Sequence, residues 1–304
     1  MITTYKYKKS TWIDVQNPTR DEIQHLIETY GVPELAADDF IKETLRGKVD
    51  FYEKEEIVHM VLHFPTAIQG DDKNHNEIEI DFVIGKNFII TNHYEEIITL
   101  NKFAELFDVN SLLDKSNLGD HAGFMFFHIA RELYKSSVEQ LETIDQELDL
   151  VERKIFENQE EAMVRDISEI NRRLIDFKQA LNSHEDILKS FETAGATLFG
   201  EGFSYYLVDI IGEHRRVKRL IESQKETLSD LKETNDSLLT NKTNKIMKAL
   251  TIVSFIMIPL TLVTGIFGMN TGLRLSTGDF FTIIIGMSII GIGLYGYFRG
   301  KHWF

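Results

Sequence analysis

The sequence of 304 residues contains no cysteine and only four prolines. Without cysteine, the chain has no disulfide, no thiolate metal site, no iron–sulfur cluster and no cysteine nucleophile. It also has no glycine-rich phosphate loop, nucleophile elbow or paired catalytic motif, so we expect no enzyme. Pro65 and Pro259 are separated by about 190 residues without this helix breaker, which favours long helices.

Acidic residues outnumber basic ones in most of the chain. The whole sequence has a formal net charge of −15, whereas residues 242–304 contain six Lys or Arg and one acid. The end of the chain therefore has a net charge of about +5, which leaves about −20 for residues 1–241. A phosphate backbone requires a basic surface, so this distribution argues against a nucleic-acid partner. Residues 1–15 include lysines with no apolar segment after them, so we expect no signal peptide.

Two segments near the end of the chain lack charge entirely. Residues 249–269 and 280–298 each approach the length of about 20 residues that a helix needs to cross a bilayer. Two buried helices of a soluble protein are the alternative, but two such runs close together favour an integral membrane protein. Basic residues precede the first segment and follow the second: Lys242, Lys245, Lys248, Arg299, Lys301 and His302. If both segments cross the bilayer, these residues lie on the same side of it. The positive-inside rule then places both termini in the cytoplasm, and we expect a prokaryotic plasma membrane.

Strand and short helix signals alternate before about residue 100. The expected strands are 49–52, 57–64, 78–84 and 88–91, and the expected helices are 19–30 and 34–45. Gly85-Lys86-Asn87 between the last two strands is typical of a hairpin turn. We therefore predict an α+β domain, in the cytoplasm, with a small, largely antiparallel sheet.

Helical periodicity replaces the strand signal after about residue 120. We predict long helices over 121–156 and 161–192, and a third from Phe203 that runs without an obvious stop into the first apolar segment. Such a helix of about 65 residues would be near 100 Å long, at 1.5 Å per residue. A small monomeric core cannot stabilise a rod of this length, so we expect it to pack against other subunits.

These patterns divide the chain into seven parts. The expected parts are 1–120 (cytoplasmic α/β domain), 121–202 (long antiparallel helices), 203–248 (cytoplasmic part of the third long helix), 249–270 (first transmembrane helix), 271–279 (outer loop), 280–298 (second transmembrane helix) and 299–304 (basic cytoplasmic tail).

A polar stripe follows one face of the first apolar helix. Its members, which fall within an arc of about 100° on a helical wheel, are Asn244, Met247, Thr251, Ser254, Ile258, Thr261 and Gly265. The opposite side, predicted to face lipid, contains Ile252, Val253, Ile256, Leu260 and Val263. Ordinary packing between helices is the alternative explanation of the stripe. If it lines a pore, several chains must surround that pore. An uncharged lining suits a cation that keeps its water, and Mg²⁺ dehydrates most reluctantly.

The tripeptide Gly268-Met269-Asn270 resembles the signature of the CorA family of magnesium channels. Four segments are similar to that family's first span in order and spacing: residues 241–248, 250–252, 259–261 and 265–270. Lys301-His302-Trp303-Phe304 resembles its C-terminus. The tripeptide alone would be a weak signal, but its position and flanks make it specific. The resemblance implies a funnel-shaped homopentamer in a lipid bilayer, with first spans inside and second spans outside.

The resemblance also implies where the ion enters. Gly268, Met269 and Asn270 would form the outer mouth, where five copies of Asn270 receive hydrated Mg²⁺. Two departures concern this region. Phe267 stands where the family usually has tyrosine, and the following loop carries Arg274 where relatives tend to be acidic. Five arginines near the mouth would oppose the accumulation of cations.

By the same resemblance, the rest of the pore would be lined by residues on or next to the polar stripe. Met247 and Leu250 would form a hydrophobic constriction near the cytoplasm, and Ile258 would be an apolar pore residue. Asn244 and Thr261 would be polar pore positions. Together these residues imply passive conduction of Mg²⁺, with cobalt and nickel as further candidate ions.

Three aspartates are the implied regulatory site. Asp38 and Asp39, with Asp209 near the start of the long helix, match positions where family members bind regulatory Mg²⁺ between neighbouring subunits. Magnesium would then be both the transported ion and a regulatory ligand. The alternative is that Asp38 and Asp39 are an ordinary aspartate pair at a helix start and that Asp209 is an ordinary surface aspartate.

Two other functions and one other site remain open. A zinc transporter of a related branch is the first alternative, although the methionine of Gly268-Met269-Asn270 favours magnesium. A non-conducting membrane sensor, in which the stripe is only an oligomer seam, is the second. His59 and His63 lie four residues apart on a predicted strand and could mimic a metal pair, but half-buried strand histidines are the favoured interpretation.

Overall fold

The computed structural model describes residues 1–66, 77–112, 121–268 and 277–301. The chain forms two compact units. The first comprises Met1–Glu157 and Ala162–Leu231, and the second comprises Asn158–Glu161 and Lys232–Phe304.

Six strands form one sheet in the first unit. They are β1 (Ile2–Tyr7), β2 (Ser10–Gln16), β3 (Lys48–Tyr52), β4 (Ile57–Pro65), β5 (Glu77–Ile84) and β6 (Phe88–His93). Their order across the sheet is β1-β2-β6-β5-β4-β3. The β2–β6 pair is parallel, and the other neighbouring strands are antiparallel. The prediction of a largely antiparallel sheet is confirmed.

The hairpin β1–β2 adds two strands that we did not predict from the sequence. Its turn places Lys8 at φ 51°, a left-handed conformation in which glycine or asparagine is more common. Because no such turn residue marks the hairpin, the lysine-rich segment gave no strand signal. Trp12 of β2 is fully buried, and its ring stacks on Tyr5 of β1 with centroids 4.7 Å apart.

One face of the sheet packs against two short helices, α1 (Arg20–Tyr30) and α2 (Glu34–Asp39). Thr19 and Glu22 form a capping box at the start of α1. The buried residues of this layer are Ile13, Val15, Ile23, Leu26, Val32, Ala36, Ala37, Phe40, Ile57, Val83 and Ile90.

Helix α2 is shorter than the predicted 34–45, because it ends at Asp39. Beyond it, the backbone of Thr44 bonds to the sheet instead of continuing a helix. Its N–H donates to a Glu79 carboxylate oxygen at 2.6 Å, and its carbonyl oxygen lies 3.0 Å from His63 Nε2. These two hydrogen bonds replace helical ones.

The remaining α-helices are α3 (Ile98–Leu112), α4 (Ala122–Phe156), α5 (Glu160–Leu181), α6 (His184–Phe199), α7 (Ser204–Gly268) and α8 (Thr277–Gly300). Long helices among them pack against the other face of the sheet. Ring contacts join the layers, because the ring centroids of Phe82 of β5 and Phe126 of α4 are 5.3 Å apart.

The prediction of a single helix over 161–192 is wrong. The break between α5 and α6 lets α6 pack on α4, where Phe191 lies 5.3 Å from Phe126.

The continuous third helix is confirmed. Helix α7 runs for 65 residues and contains Pro259 without interruption. Gly200, at φ 89°, ends α6 shortly before α7 begins, a conformation that favours glycine. Helix α7 contributes its first part to the first unit and its remainder to the second.

Candidate ion pathway on the apolar helices

The second unit contains two membrane-spanning candidates. The later part of α7 and nearly all of α8 are long and apolar enough to cross a bilayer, with mean hydropathy 2.2 and 1.8. Most of their side chains are exposed in the single chain. Such exposed apolar surface is stable only against lipid or other protein.

Helix α8 covers one side of α7. Ile252 is 1% exposed, and Leu260 Cδ1 lies 3.8 Å from where a Cβ on Gly291 would be. The rings of Phe255 and Phe298 are 6.2 Å apart. The half-buried residues of α8 lie three or four apart along one side, except for one adjacent pair: Ile283, Gly286, Met287, Gly291, Leu294 and Phe298. The prediction that the side of α7 containing Ile252 faces lipid is therefore wrong in part, because α8 covers some of it.

The polar stripe lies away from this contact. Of the stripe residues, Thr251 is half-buried and the others are exposed: Asn244, Met247, Ser254, Ile258, Thr261 and Gly265. Leu250 and Gly268, which lie next to the stripe, are also exposed. Met247 is 55% exposed, Leu250 59% and Ile258 65%. A methyl group added to Gly265 or Gly268 would meet no described atom within 4 Å. The stripe is therefore free to face whatever surrounds α7 in the membrane.

The hydroxyl groups of the stripe share one geometry. Each donates its proton to a backbone carbonyl four residues earlier: Thr251 to Met247 at 2.8 Å, Ser254 to Leu250 at 2.9 Å, and Thr261 to Met257 at 2.9 Å. A hydroxyl has one proton and two lone pairs. With the proton used inside the helix, each oxygen is left as an acceptor. The water shell of a cation presents protons outward, so these oxygens match a hydrated cation.

Part of the expected ion entrance lies outside the described residues. Helix α7 ends at Gly268, and Met269, Asn270 and Arg274 are not among the residues that the structure describes. Gly268 is exposed at the end of the stripe. The geometry of the mouth therefore stays a prediction.

The three predicted regulatory aspartates lie in the first unit. Asp38 and Asp209 are exposed, and Asp39 is half-buried at the end of α2. Lys48 Nζ lies 2.6 Å from Asp39 Oδ2. Within the described ranges of this one chain, no group of three or more His, Asp or Glu could hold a metal ion. A site shared between subunits would need ligands from a second copy.

Exposed apolar side chains surround these aspartates. Near Asp38, Leu35 is 73% and Leu45 98% exposed. One turn from Asp209 on α7, Tyr205 is 79% exposed, and its neighbour Val208 is 60% exposed. Large apolar residues so accessible beside acids are typical of a surface that another protein covers.

A buried polar cluster on the sheet escaped the sequence analysis. Glu79 and Asp81 of β5 are 5% and 0% exposed, and His63 Nε2 lies 3.2 Å from Glu79 Oε2. Asn92 Nδ2 donates to Asp81 Oδ2 at 2.7 Å. Glu79 and Asp81 are two apart on β5, a spacing that places them on one face. That signal was in the sequence, but acids on one face of a strand ordinarily face solvent.

The pKa values in this cluster follow from burial and charge. Burial raises the pKa of Asp81 well above its ordinary value, against the hydrogen bond from Asn92. Burial lowers the pKa of His59 to about 4, although Asp39 opposes this. Burial also acts to lower the pKa of His63, but the bonds to Glu79 and Thr44 outweigh it and the pKa is raised.

The two candidate metal-pair histidines therefore have separate partners. His59 Nδ1 lies 3.7 Å from Asp39 Oδ2, whereas His63 contacts Glu79. His59 is fully buried and His63 is 6% exposed. Both are more buried than the half-buried strand residues that we favoured from the sequence.

Comparisons with known proteins cover nearly the whole chain. The model of a family described as "CorA-like Mg2+ transporter protein" matches residues 7–300. The cobalt/magnesium transport protein CorA of Thermotoga maritima is 27% identical over 305 residues, covering 96% of this chain and 83% of that protein. The magnesium transport protein CorA of Campylobacter jejuni is 24% identical, covering 96% and 90%. The solved structure of the CorA magnesium transporter from Methanocaldococcus jannaschii matches with a TM-score of 0.81 at 20% identity, covering 99% and 94%.

Proposed function

We infer the function of this chain from the family to which it belongs, the CorA-like Mg²⁺ transporter proteins. It is a membrane channel for Mg²⁺ and not an enzyme, and Co²⁺ is a further candidate ion. The observation on this chain that best supports the proposal is the stripe of outward hydroxyl acceptors on the uncovered side of α7. The stripe provides hydrogen-bond acceptors for a hydrated cation and contains no charged side chain.

The lining favours an ion that keeps its water. A carboxylate cage would compete with the first hydration shell, whereas hydroxyl and amide oxygens accept hydrogen bonds from it. Because the ion is not stripped, the channel needs no compensation for dehydration. The membrane potential supplies about 2.3 kcal/mol per charge per 100 mV, or about 4.6 kcal/mol for a divalent cation. No ATP site is required.

The pore requires several chains. The described residues of one chain include two candidate spanning helices, too few to enclose a pore, and the stripe on α7 lies on a side that α8 leaves uncovered. We therefore expect a homopentamer in a lipid bilayer, with α7 helices inside and α8 helices outside. Both chain termini would be cytoplasmic, in a prokaryotic plasma membrane.

The entrance and the gate are assigned to opposite ends of the stripe. Gly268, Met269 and Asn270 would receive the hydrated ion at the outer mouth. Met247 and Leu250 would form the cytoplasmic constriction, where rings of apolar side chains block a hydrated ion by dewetting. Asn244, Thr251, Ser254, Ile258, Thr261 and Gly265 would line the path between or beside them.

Regulation is assigned to the aspartates of the first unit. A Mg²⁺ ion between Asp38 or Asp39 of one subunit and Asp209 of the next would offset repulsion between acidic surfaces and favour a closed state. The exposed Leu35 and Tyr205 near these acids support an interface between subunits. When the cytoplasmic Mg²⁺ concentration falls, the regulatory ions leave and the subunits splay apart within the assembled channel.

Magnesium is favoured over the alternatives. The relatives named above carry magnesium or cobalt/magnesium in their names, which favours those ions over zinc. A non-conducting sensor would need no stripe of outward acceptors.

Ion uptake into liposomes tests the function. Purified protein is reconstituted with an ion-sensitive dye inside and a potential that is negative inside. We expect uptake of Mg²⁺ that depends on the potential and is absent from empty liposomes. Uptake of Zn²⁺ without Mg²⁺ would support the zinc alternative, and no uptake of any divalent ion would support the sensor.

A further inference from the structure

Asp39 has a cation beside it in the single chain. Lys48 Nζ, from the first residue of β3, lies 2.6 Å from Asp39 Oδ2 and 3.6 Å from Asp50 Oδ2. The lysine side chain is 40% exposed and that of Asp39 21%. An ammonium group therefore lies near two carboxylates, at one of the two oxygens through which Asp39 could bind a divalent ion.

A second group lies near this oxygen. His59 Nδ1 is 3.7 Å from Asp39 Oδ2, farther than Lys48 Nζ, and the His59 side chain is fully buried. In the described structure, the partly exposed Lys48 ammonium is therefore the nearer cationic partner of Asp39.

We propose that Lys48 is a tethered competitor of the regulatory divalent cation at Asp39, and that it sets the Mg²⁺ concentration at which the channel closes. This inference rests on the proposed regulatory role of Asp39. The ammonium group and Mg²⁺ are both cations, so they repel each other when they bind the same carboxylate. Binding of the ion therefore favours release of Lys48, whose flexible four-carbon stem can move toward solvent.

The competitor has a defined strength. A tethered group acts at a fixed effective concentration, so it lowers the apparent affinity for Mg²⁺ by a constant factor without altering any ligand. Partly exposed ion pairs are weak, so the factor is about two- to fivefold. A purely structural lysine, holding Asp39 in position, would have the opposite effect, because its removal would disorder the site.

The experiment measures closure of full-length protein against Mg²⁺ concentration. Protease protection of the cytoplasmic part, in detergent, gives the midpoint for each variant. Lys48→Met removes the charge and keeps an apolar stem of similar length. Lys54→Met is the matched control, because Lys54 is an exposed lysine in the turn between β3 and β4. It removes the same charge from the same region and reports any general effect on Mg²⁺ attraction.

We expect Lys48→Met to close at about two- to fivefold lower Mg²⁺ than Lys54→Met. Lys48→Arg, which keeps the charge, should stay near wild type. Equal midpoints for the two methionine variants, or a shift of Lys48→Met to higher Mg²⁺, would overturn the inference. If Lys48→Met folds poorly, Lys48→Gln gives the same comparison.

Asp39→Asn separates this inference from the proposal on which it rests. If Asp39 binds the regulatory ion, this variant should need more Mg²⁺ to close, and adding Lys48→Met to it should have no further effect. A shift that persists in the double variant would show that Lys48 acts elsewhere and would refute the competition. An Asp39→Asn midpoint equal to wild type, with no effect of Lys48→Met, would instead remove Asp39 from regulation.

Discussion

The two units of the chain differ in whether they bury charged and titratable side chains. The first unit buries charged or titratable groups on the sheet and gives them partners, as with Glu79 and His63. In the second unit, the described spanning segments keep hydroxyls at their exposed face and leave large apolar side chains such as Ile258 uncovered. The first unit can therefore bury its core within one chain, whereas the second exposes apolar surface that lipid or other protein must cover. Substitutions in the buried core of the first unit should affect stability, and substitutions on the polar stripe of the second should affect ion flow.

The largest expected effect is at Asn270, the predicted ion entrance. Asn270→Ala should abolish Mg²⁺ uptake into liposomes, because alanine cannot accept a hydrogen bond from the water shell of the ion. Assembly, measured by size-exclusion chromatography, should not change. Asn182→Ala, at an exposed asparagine between α5 and α6, is the control and should conduct normally. Wild-type flux in Asn270→Ala would remove the entrance from this residue.

A smaller effect is expected at the constriction. Met247→Ser or Leu250→Ser should raise basal leak at high Mg²⁺ on the order of tenfold, equivalent to a barrier lower by about 1.4 kcal/mol, because a polar ring wets more easily. Val253→Ser is the matched control, since Val253 is similarly exposed at 56% but lies off the stripe. Leak that is unchanged in both variants, or equal in the control, would place the gate elsewhere.

A change in regulation without a change in maximal flux is expected at Asp209. Asp209→Lys should make closure insensitive to Mg²⁺, because the new charge either replaces the ion or destroys its site. Asp230→Lys makes the same charge change at another exposed position of α7 and should keep the wild-type response. Current measured against Mg²⁺ concentration distinguishes them. If Asp209→Lys keeps the wild-type dependence, Asp209 is an ordinary surface residue.

Sequence patterns predicted elements with strong periodicity and missed elements that depend on tertiary contacts. The continuous α7 and the strands near β4 and β5 follow from apolar spacing. The hairpin β1–β2 was missed because Lys8 adopts a left-handed turn without a glycine. The end of α2 was missed because it depends on bonds from Thr44 to Glu79 and His63, residues distant in sequence.

The candidate site divides in the same way. The polar stripe could be read from a helical wheel, and the structure adds the direction of its hydroxyl protons, which no wheel shows. The pairing of Lys48 with Asp39 could not be predicted, because it joins α2 to β3 across an irregular segment. The lipid-facing assignment of Ile252 was wrong in part, because the position of α8 around α7 does not follow from composition.

The smallest expected effect on ion flow is at Asp81, in the sheet of the first unit. Burial raises its pKa in the folded state above the ordinary value of 3.8. The folded state then binds the proton more tightly than the unfolded state. The contribution of Asp81 to stability is therefore present below pH 3.8 and is lost as the pH rises through the folded-state value.

Asp81→Asn should remove this loss. Asparagine keeps an oxygen to accept from Asn92 and offers an amide N–H toward Glu79, without a charge to bury. We expect the folded state to gain about 1–3 kcal/mol at pH 8, the usual cost of a poorly satisfied buried polar group, and little below the ordinary carboxyl pKa. Thermal unfolding of the full-length protein, followed by near-ultraviolet circular dichroism from pH 4 to pH 8, measures the difference. Asp145→Asn, at an exposed aspartate of α4, is the control and should show no such pH-dependent gain. Ion flux should remain at the wild-type level, because the substitution lies in the sheet and touches no residue of the polar stripe. A gain that is equal at both pH values would mean that Asp81 is not titrating in this range, and altered flux would mean that the two units do not divide stability and conduction as proposed.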